Sequence, residues 1–337
     1  MLLLRPVEFR DLQGLERLAV DSGGSLTTLP ANRDHLNELI DRTLKSLRKA
    51  VNRPEQESYH FVLEDSHSGE IVGVSGIEAA VGIASPFYSY RINEVVHASS
   101  ELQIHNRIPA LHLCQDFTGA SRLCTLFLDS EHRQRSNLHL LSRARLLFIA
   151  AHRERFDSRI IAELQGVVDA NGQSPFWESL GQHFFNMDFA KANYLTGIDS
   201  KGFIAELLPH HPVYLPLLSE AARESLGQPR TDAARVKALL EDEGFGYRGY
   251  VDIFDAGPTL EAQTDRLRSL VESRSVTITV NADDEEGDKA LALVAHGQLE
   301  NFRCLLAEVD AQQPELTPAQ AEVLNVSNGD CVQLVWL

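Results

Sequence analysis

The first 80 residues combine short apolar runs with stretches of helical periodicity, a pattern typical of a mixed α/β domain. The apolar run at 2–4 predicts a short strand, and Asp11 is placed to cap a helix whose apolar positions fall on one face. The same helical spacing predicts a second helix over 32–51. Two strands are then expected over 59–64 and 71–77, joined by a hairpin-type turn.

The middle of the chain has the clearest pattern. A continuous apolar run over 123–128 predicts a strand buried on both faces. After a polar loop, helically spaced apolar positions over 138–151 predict a long amphipathic helix. The next strand is expected over 160–164. Beyond it the pattern predicts a short helix over 174–180 and another strand over 184–189.

The second half of the chain changes character along its length. Residues 203–243 are predicted to be mainly helical, although prolines interrupt their first part. From about 275 onward short strand candidates dominate, which places a domain boundary near 260–275. We therefore expect a larger α/β domain over 1–260, with 203–243 as a helical insertion, and a small β-rich module over 261–337. Residues 82–112 have no clean period.

Charge and cysteine content narrow the class of protein. With 48 acidic and 31 basic residues the chain carries a formal charge of −17, which disfavours nucleic acid and anionic membrane surfaces as partners. The four cysteines form no C-x-x-C pair, so neither a disulfide framework nor a structural zinc site is expected, and we predict no resident metal. The N-terminus carries no visible export signal, and a cytoplasmic protein is predicted.

One segment is basic within this acidic chain. Arginines are concentrated between the buried strand at 123–128 and residue 159. Arg133 and Arg135 precede the long helix, where unpaired backbone N–H groups and the helix dipole favour an anion. For the more distant Arg153, Arg155 and Arg159 we favour a plainer interpretation, in which they cover an outer helix face.

The order of elements around this segment resembles the fold of the GNAT acyltransferases. In that fold a loop of the form R/Q-x-x-G-x-G/A holds the pyrophosphate of CoA. The matching stretch has Arg133 in the leading position and includes Arg135 and Asn137. Ser136 and Leu138 occupy the two glycine positions, where a side chain keeps phosphate away from the backbone. The resemblance implies a mixed sheet flanked by helices.

Longer stretches make the resemblance more specific. From residue 1 to about 275 the chain is similar, in order, to the arginine N-succinyltransferase family. The matching stretches include Arg5-Pro6-Val7, Phe61-Val62-Leu63-Glu64-Asp65, Val96-His97-Ala98-Ser99, Leu123-Cys124-Thr125-Leu126-Phe127-Leu128-Asp129, Ser174-Pro175-Phe176-Trp177, Phe203-Ile204-Ala205-Glu206-Leu207, Tyr250-Val251-Asp252-Ile253-Phe254-Asp255 and Gly257-Pro258-Thr259-Leu260. The family transfers a succinyl group from succinyl-CoA to the α-amino group of L-arginine in arginine catabolism.

The resemblance also assigns residues that would contact succinyl-CoA. Leu126 lies at the family's succinyl-CoA contact, and Phe127 and Leu128 continue the same strand. In GNAT folds a backbone N–H of this strand serves the thioester carbonyl oxygen. Leu126 can belong to the core as well, because such a contact is mainly made by the backbone. No permanently bound cofactor is implied, since succinyl-CoA is a co-substrate.

The proton donor is where the chain departs from the family. The family's Gly-Gln-Val-His-Pro stretch has a histidine donor, and Arg230 occupies that position here. Arginine stays protonated, so Arg230 is a poor donor but can stabilise a thiolate by its charge. Many GNAT enzymes use a tyrosine where this chain has Trp177. His211, in a stretch that the family largely shares, is a candidate replacement.

Two hypotheses from different classes therefore stand. The chain is an active succinyltransferase, with ornithine as a possible second substrate. Alternatively, it is a non-catalytic or partner-dependent subunit of a heteromeric arginine/ornithine succinyltransferase, which the departures at Leu138 and Arg230 favour. Either way we expect a homo-oligomer or a hetero-oligomer with a related chain. Candidates to bind the substrate guanidinium are Glu78, Glu94, Asp116 and Glu206.

Overall fold

A mixed β-sheet runs through the chain and carries helices on both of its faces. The computed structural model describes residues 1–23, 26–197, 206–281, 289–310 and 312–337. The strands are β1 (Leu2–Pro6), β2 (Ser58–Asp65), β3 (Ile71–Glu78), β4 (Ser89–Ser99), β5 (Ile104–Cys114), β6 (Ser121–Leu128), β7 (Arg159–Glu163), β8 (Val213–Tyr214), β9 (Gly246–Val251), β10 (Pro258–Gln263), β11 (Arg274–Thr277), β12 (Thr279–Val280), β13 (Lys289–His296), β14 (Arg303–Asp310), β15 (Glu315–Leu316) and β16 (Cys331–Trp336). The α-helices are α1 (Leu12–Asp21), α2 (Arg33–Arg48), α3 (Arg135–Ala151), α4 (Gln182–Phe185), α5 (Phe189–Gly197), α6 (Glu220–Ser225), α7 (Ala234–Asp242), α8 (Arg268–Glu272) and α9 (Pro318–Leu324).

Within the described ranges the main sheet has fourteen strands, and its order explains how the two ends of the chain meet. The order is β11-β16-β13-β14-β1-β2-β3-β6-β7-β10-β9-β4-β5-β8, and β12 pairs with β15 separately. The C-terminal strands join the rest through β1, where Leu4 is opposite Cys304. The pairing of β6 with β7 is parallel. The expected α/β class, with a mixed sheet, flanking helices and a β-rich C-terminal part, is confirmed.

Alternating side chains of the central strands form two cores. On β2, Phe61 and Leu63 face α3, in the core that also contains Phe148. Val62 faces the opposite side, where it packs with α1 and α2. Helix α3 is buried along most of its length because it lies between the sheet and neighbouring helices, including α8. No helix within the described ranges combines the length and apolar character needed to cross a bilayer.

Two assignments differ from the sequence pattern. The strand predicted over 184–189 is wrong, because α4 ends there at Asn186, which has a left-handed backbone (φ 48°), and α5 follows. The apolar residues of that run, such as Phe185 and Phe189, instead pack around Trp177. Region 82–112, which the sequence left unassigned, contains most of the β4–β5 hairpin. The outer half of this hairpin is largely exposed, so it lacks the alternation of apolar and polar residues that marks a half-buried strand.

Asp11 also has another role than the one expected. It stands at the N-terminus of α1, but its side chain makes no capping bond to that helix. Both carboxylate oxygens instead accept hydrogen bonds from Arg5, each at 2.8 Å. The helical stretch expected over 203–243 begins with residues outside the described ranges (203–205), and the rest contains α6, α7 and the short β8. The domain boundary near 260–275 stays a prediction.

Candidate active site

The two parallel strands of the sheet separate and open a large cavity. Strands β6 and β7 are paired only from Ser121 to Leu123, where Leu123 is opposite Ala162. Beyond that pair the strands diverge, and a cavity of about 610 Å³ lies between and beside them. Its lining includes Thr125 and Leu126 from β6 and Glu163 from β7. A cavity of this size at diverging strand ends is a natural substrate site.

A β-bulge shapes the β6 side of this cavity. The register with β3 shifts between Val74 and Gly76, so that Thr125 and Leu126 together face a single residue, Ser75. Thr125 has a positive φ of 52°, which is unusual for a β-branched residue. A bulge takes backbone groups out of the ladder and re-aims them. The bulge therefore takes backbone groups of Thr125 and Leu126, which line the cavity, out of the regular ladder.

Buried polar side chains support the bulge from behind. The Nε2 atom of His60 lies 3.3 Å from Oγ1 of Thr125. Arg145 donates from Nη1 to the carbonyl oxygens of Gly76 and Cys124, both at 3.1 Å. Burial lowers the pKa of His60 to about 4 and that of Arg145 to about 10. His60 is therefore neutral at physiological pH.

A row of charged side chains crosses three strands at the cavity edge. Arg122 on β6 binds Glu78 of β3, at 2.9 and 3.0 Å, and Glu163 of β7, at 2.7 Å. Its guanidinium also lies over the ring of Phe87, 5.2 Å from the centroid. Arg122 and Glu163 line the cavity. Burial raises the pKa of Glu163 to about 7, against the opposing charge of Arg122.

Two further carboxylates face the cavity from the loop after β9. Asp252 accepts hydrogen bonds from the backbone N–H groups of Phe254 and Asp255, and Asp255 accepts from Gly166 and Gly257. At Gly166 a Cβ atom would lie 2.3 Å from the carbonyl oxygen of Asp255, so the loops approach this closely only with glycine there. Burial raises the pKa of both aspartates. With Glu163, these residues bring three carboxyl groups to the described lining of the cavity.

The sequence analysis did not single out Glu163, Asp252 or Asp255. Of the four guanidinium candidates, Glu78 belongs to the Arg122 row, Glu94 pairs with Arg107 on the exposed hairpin, and Asp116 accepts from Tyr250. Glu206 is exposed. As described, none of the four lines the cavity. Asp252 and Asp255 do fall within a family-like stretch, which was the available signal.

The two candidates for proton transfer have different positions. Arg230 lines the cavity, and its guanidinium binds Asp232 at 2.6 and 2.7 Å while its backbone N–H donates to Gln165. His211 is exposed in the stretch before β8 and is not part of the described lining. Trp177 is buried, and its indole N–H donates to the carbonyl oxygen of Met187 at 3.0 Å.

The candidate phosphate loop lies at the N-terminus of α3, beyond the end of β6. Arg133 and Arg135 are exposed there. The Arg133 guanidinium lies over Phe127, 5.8 Å from the ring centroid, and its Nε donates to the carbonyl oxygen of Leu128. A second cavity of about 410 Å³ adjoins Phe127 and Arg133. Leu138 belongs to the first turn of α3 and packs against the main core.

The remainder of the loop is held by local bonds. Ser136 is half-buried in the first turn of α3, and the Asn137 side chain donates to the carbonyl oxygen of His132. The interpretation of Arg155 as an outer-face residue is wrong, because it is buried and donates to Ser46, Lys49 and Tyr59. Its charge supports the fold rather than a ligand. Within the described ranges no group of three or more His, Cys, Asp and Glu side chains is arranged to hold a metal ion.

Comparisons with known proteins agree over the whole chain. The model of the arginine N-succinyltransferase beta subunit matches residues 2–269, and that of its C-terminal domain matches 274–335. Arginine N-succinyltransferases from Enterobacter sp. (strain 638) and Shigella flexneri are 47% and 46% identical, each over 100% of this chain and 98% of the relative. The solved arginine/ornithine succinyltransferase subunit AI from Pseudomonas aeruginosa is 40% identical, with a TM-score of 0.91 over 100% of this chain and 98% of that one. The chain therefore belongs to the arginine N-succinyltransferase family.

Proposed function

We propose that the chain transfers the succinyl group of succinyl-CoA to the α-amino group of L-arginine. The observation that carries the proposal is the cavity between β6 and β7. Its lining includes the β6 bulge and the half-buried carboxylates of Glu163, Asp252 and Asp255. An acyl donor needs hydrogen-bond donors at its carbonyl, and a cationic acceptor needs carboxylates. Family membership supplies the identity of the two substrates.

Succinyl-CoA would extend from the bulge toward α3. Its thioester carbonyl would lie at Leu126, its pantetheine arm along Phe127 and Leu128, and its pyrophosphate near Arg133 and the start of α3. The exposed guanidinium groups of Arg133 and Arg135 and the N-terminus of this 17-residue helix support this assignment. The partly buried position of Leu138 supports a role in packing rather than in blocking phosphate.

L-arginine would lie with its guanidinium toward Asp252 and Asp255. Each carboxylate is already bound to backbone N–H groups, which fix its orientation. Arg122, which binds Glu163, and Arg230 add two positive side chains to the cavity lining. Arg230 would serve by charge, stabilising the departing thiolate. A lining with both carboxylates and guanidinium groups suits a cationic acceptor and an anionic donor.

A partner-dependent subunit is the second candidate, and one observation favours it. The described lining of the cavity contains no histidine, and Arg230 at the family's donor position is engaged by Asp232. The Pseudomonas relative is itself a subunit of an arginine/ornithine succinyltransferase. We propose that the chain forms a homo-oligomer, or a hetero-oligomer with a related chain, and that it is located in the cytoplasm. We also propose a domain boundary near 260–275.

The test is thiol release from succinyl-CoA by the purified chain, with and without L-arginine. Arginine-dependent release on the order of 1 per second or faster is expected. No release from folded protein would refute independent activity, and restored release on addition of a related chain would establish the subunit hypothesis. L-citrulline, with a neutral ureido group in place of the guanidinium, should be a much poorer acceptor. Thiol release with L-ornithine in place of L-arginine tests whether ornithine is a second substrate.

A further inference from the structure

We infer that Glu163 takes the proton from the α-ammonium group of the substrate, an inference that rests on the proposed function. Strands β6 and β7 separate directly after the pair of Leu123 and Ala162. Glu163 is the next residue on β7, and the bulge at Thr125 lies on the facing strand. An acyl carbonyl on one strand and a proton acceptor on the other would have the attacking nitrogen between them. This is the juxtaposition that aminolysis needs.

The environment of Glu163 suits a proton acceptor. Its Oε2 atom accepts a hydrogen bond from Arg122, and within the described chain no hydrogen bond to Oε1 is formed. The charges that face it are Arg122 from β6, Glu78 from β3, and Asp252 and Asp255 from the loop after β9. Burial and the charges of Asp252 and Glu78 raise its pKa to about 7, while Arg122 opposes them. A base with a pKa near the working pH is the efficient one.

The step balances as follows. The Glu163 carboxylate accepts one proton of the ammonium group, and the neutral nitrogen attacks the thioester carbonyl carbon. The new C–N bond forms, the C–S bond breaks, and the electron pair of that bond stays on sulfur. The nitrogen's second proton ends on the thiolate to give free CoA. Glu163 then releases its proton to solvent, so each turnover yields one amide, one thiol and one proton.

The test is the pH dependence of arginine-dependent thiol release in Glu163→Gln. In the unsubstituted chain kcat should rise with pH and level off above about 7, once Glu163 is ionised. Glu163→Gln should lower kcat by about 10²- to 10⁴-fold at neutral pH. Its residual rate should keep rising toward the pKa of the substrate's own amino group, with KM for L-arginine nearly unchanged. If the unsubstituted chain shows no arginine-dependent release, the proposed function fails; if Glu163→Gln keeps the original profile, only this inference fails.

Two further variants guard against misfolding and a binding role. Glu78→Gln removes a facing negative charge and leaves Arg122 to Glu163 alone, so the acid limb should move to lower pH with kcat on the plateau retained. Glu261→Gln removes a carboxylate on β10 that pairs with Arg159 of β7, outside the described cavity lining, and should keep the original profile. If the acid limb of the pH profile stays in place in Glu78→Gln, the inference is overturned, even if Glu163→Gln does not fold. A large rise in KM with kcat and profile intact in Glu163→Gln would overturn it too, because Glu163 would then bind the guanidinium.

Discussion

Asp11 offers a sharp test, because its position predicts a helix cap while its contacts indicate a buried ion pair. Its side chain and that of Arg5 are 3% and 6% exposed, and they form two parallel hydrogen bonds of 2.8 Å. Removing one partner of a buried pair costs about 3–5 kcal/mol, since the other charge stays buried. Glu64 still binds Arg5 at 2.5 Å, so we expect Asp11→Ala to lower the free energy of unfolding by about 3 kcal/mol.

Asp11→Asn separates the two interpretations. Asparagine is as good a cap as aspartate, so a capping role predicts almost no change. An ion pair predicts that Asp11→Asn loses most of what Asp11→Ala loses. For 337 residues, about 3 kcal/mol corresponds to a fall in Tm of roughly 4 °C. Calorimetry measures the fall in Tm, and urea unfolding measures the loss of unfolding free energy. The control is Asp41→Asn, which removes an exposed carboxylate paired with Lys45 and should cost less than about 0.5 kcal/mol. Asp11→Asn within that range would refute the reasoning.

Three other measurements test particular contacts. Leu138→Ala should cost about 1–2 kcal/mol in urea unfolding without lowering KM for succinyl-CoA; a markedly lower KM would mean that Leu138 obstructs the phosphate loop. Trp177→Phe should cost about 1–3 kcal/mol, because the buried Trp177 donates a hydrogen bond to the carbonyl of Met187 that phenylalanine cannot replace; an unchanged unfolding midpoint would contradict this. Because the pKa of His60 is about 4 in the fold and 6.5 in the unfolded chain, stability is lost as pH falls from about 6.5 to 4, by up to roughly 3 kcal/mol. Unfolding titrations should show a shallower loss in His60→Gln, and an equal slope would count against the assignment.

The parts of the fold that could be predicted are those in which burial produces an apolar run or a regular spacing of apolar residues. Strand β6, helix α3 and strand β7 follow from apolar runs because sheet and helix faces are buried there. The β4–β5 hairpin has no such signature, since much of it is exposed on both faces. The same logic misplaced the run at 184–189, where apolar residues cluster around Trp177 from two short helices. Short apolar runs do not distinguish strands from helix ends.

The site residues predicted from the sequence stay predictions, and the charged residues that line the cavity were not among them, apart from Arg230. The strand with Leu126 and the loop with Arg133 could be assigned from resemblance, whereas Glu163 is a single acid at the end of an apolar run, without any repeat to mark it. Its significance comes from partners far away in the chain, such as Asp252. Arg145 had a usable signal, because it falls at the inward spacing of α3, where a charged residue needs a specific partner.

The buried polar residues around the bulge explain why its conformation persists. A threonine with positive φ costs on the order of 1–3 kcal/mol, so Thr125 keeps that conformation only if its surroundings hold it there. Arg145 holds the carbonyl of Cys124, and His60 contacts the hydroxyl of Thr125 from the other side. Gly76 leaves room for this arrangement, since a Cβ atom there would lie 2.7 Å from the His60 ring. These buried polar groups thus fix the bulge next to the point where β6 and β7 part.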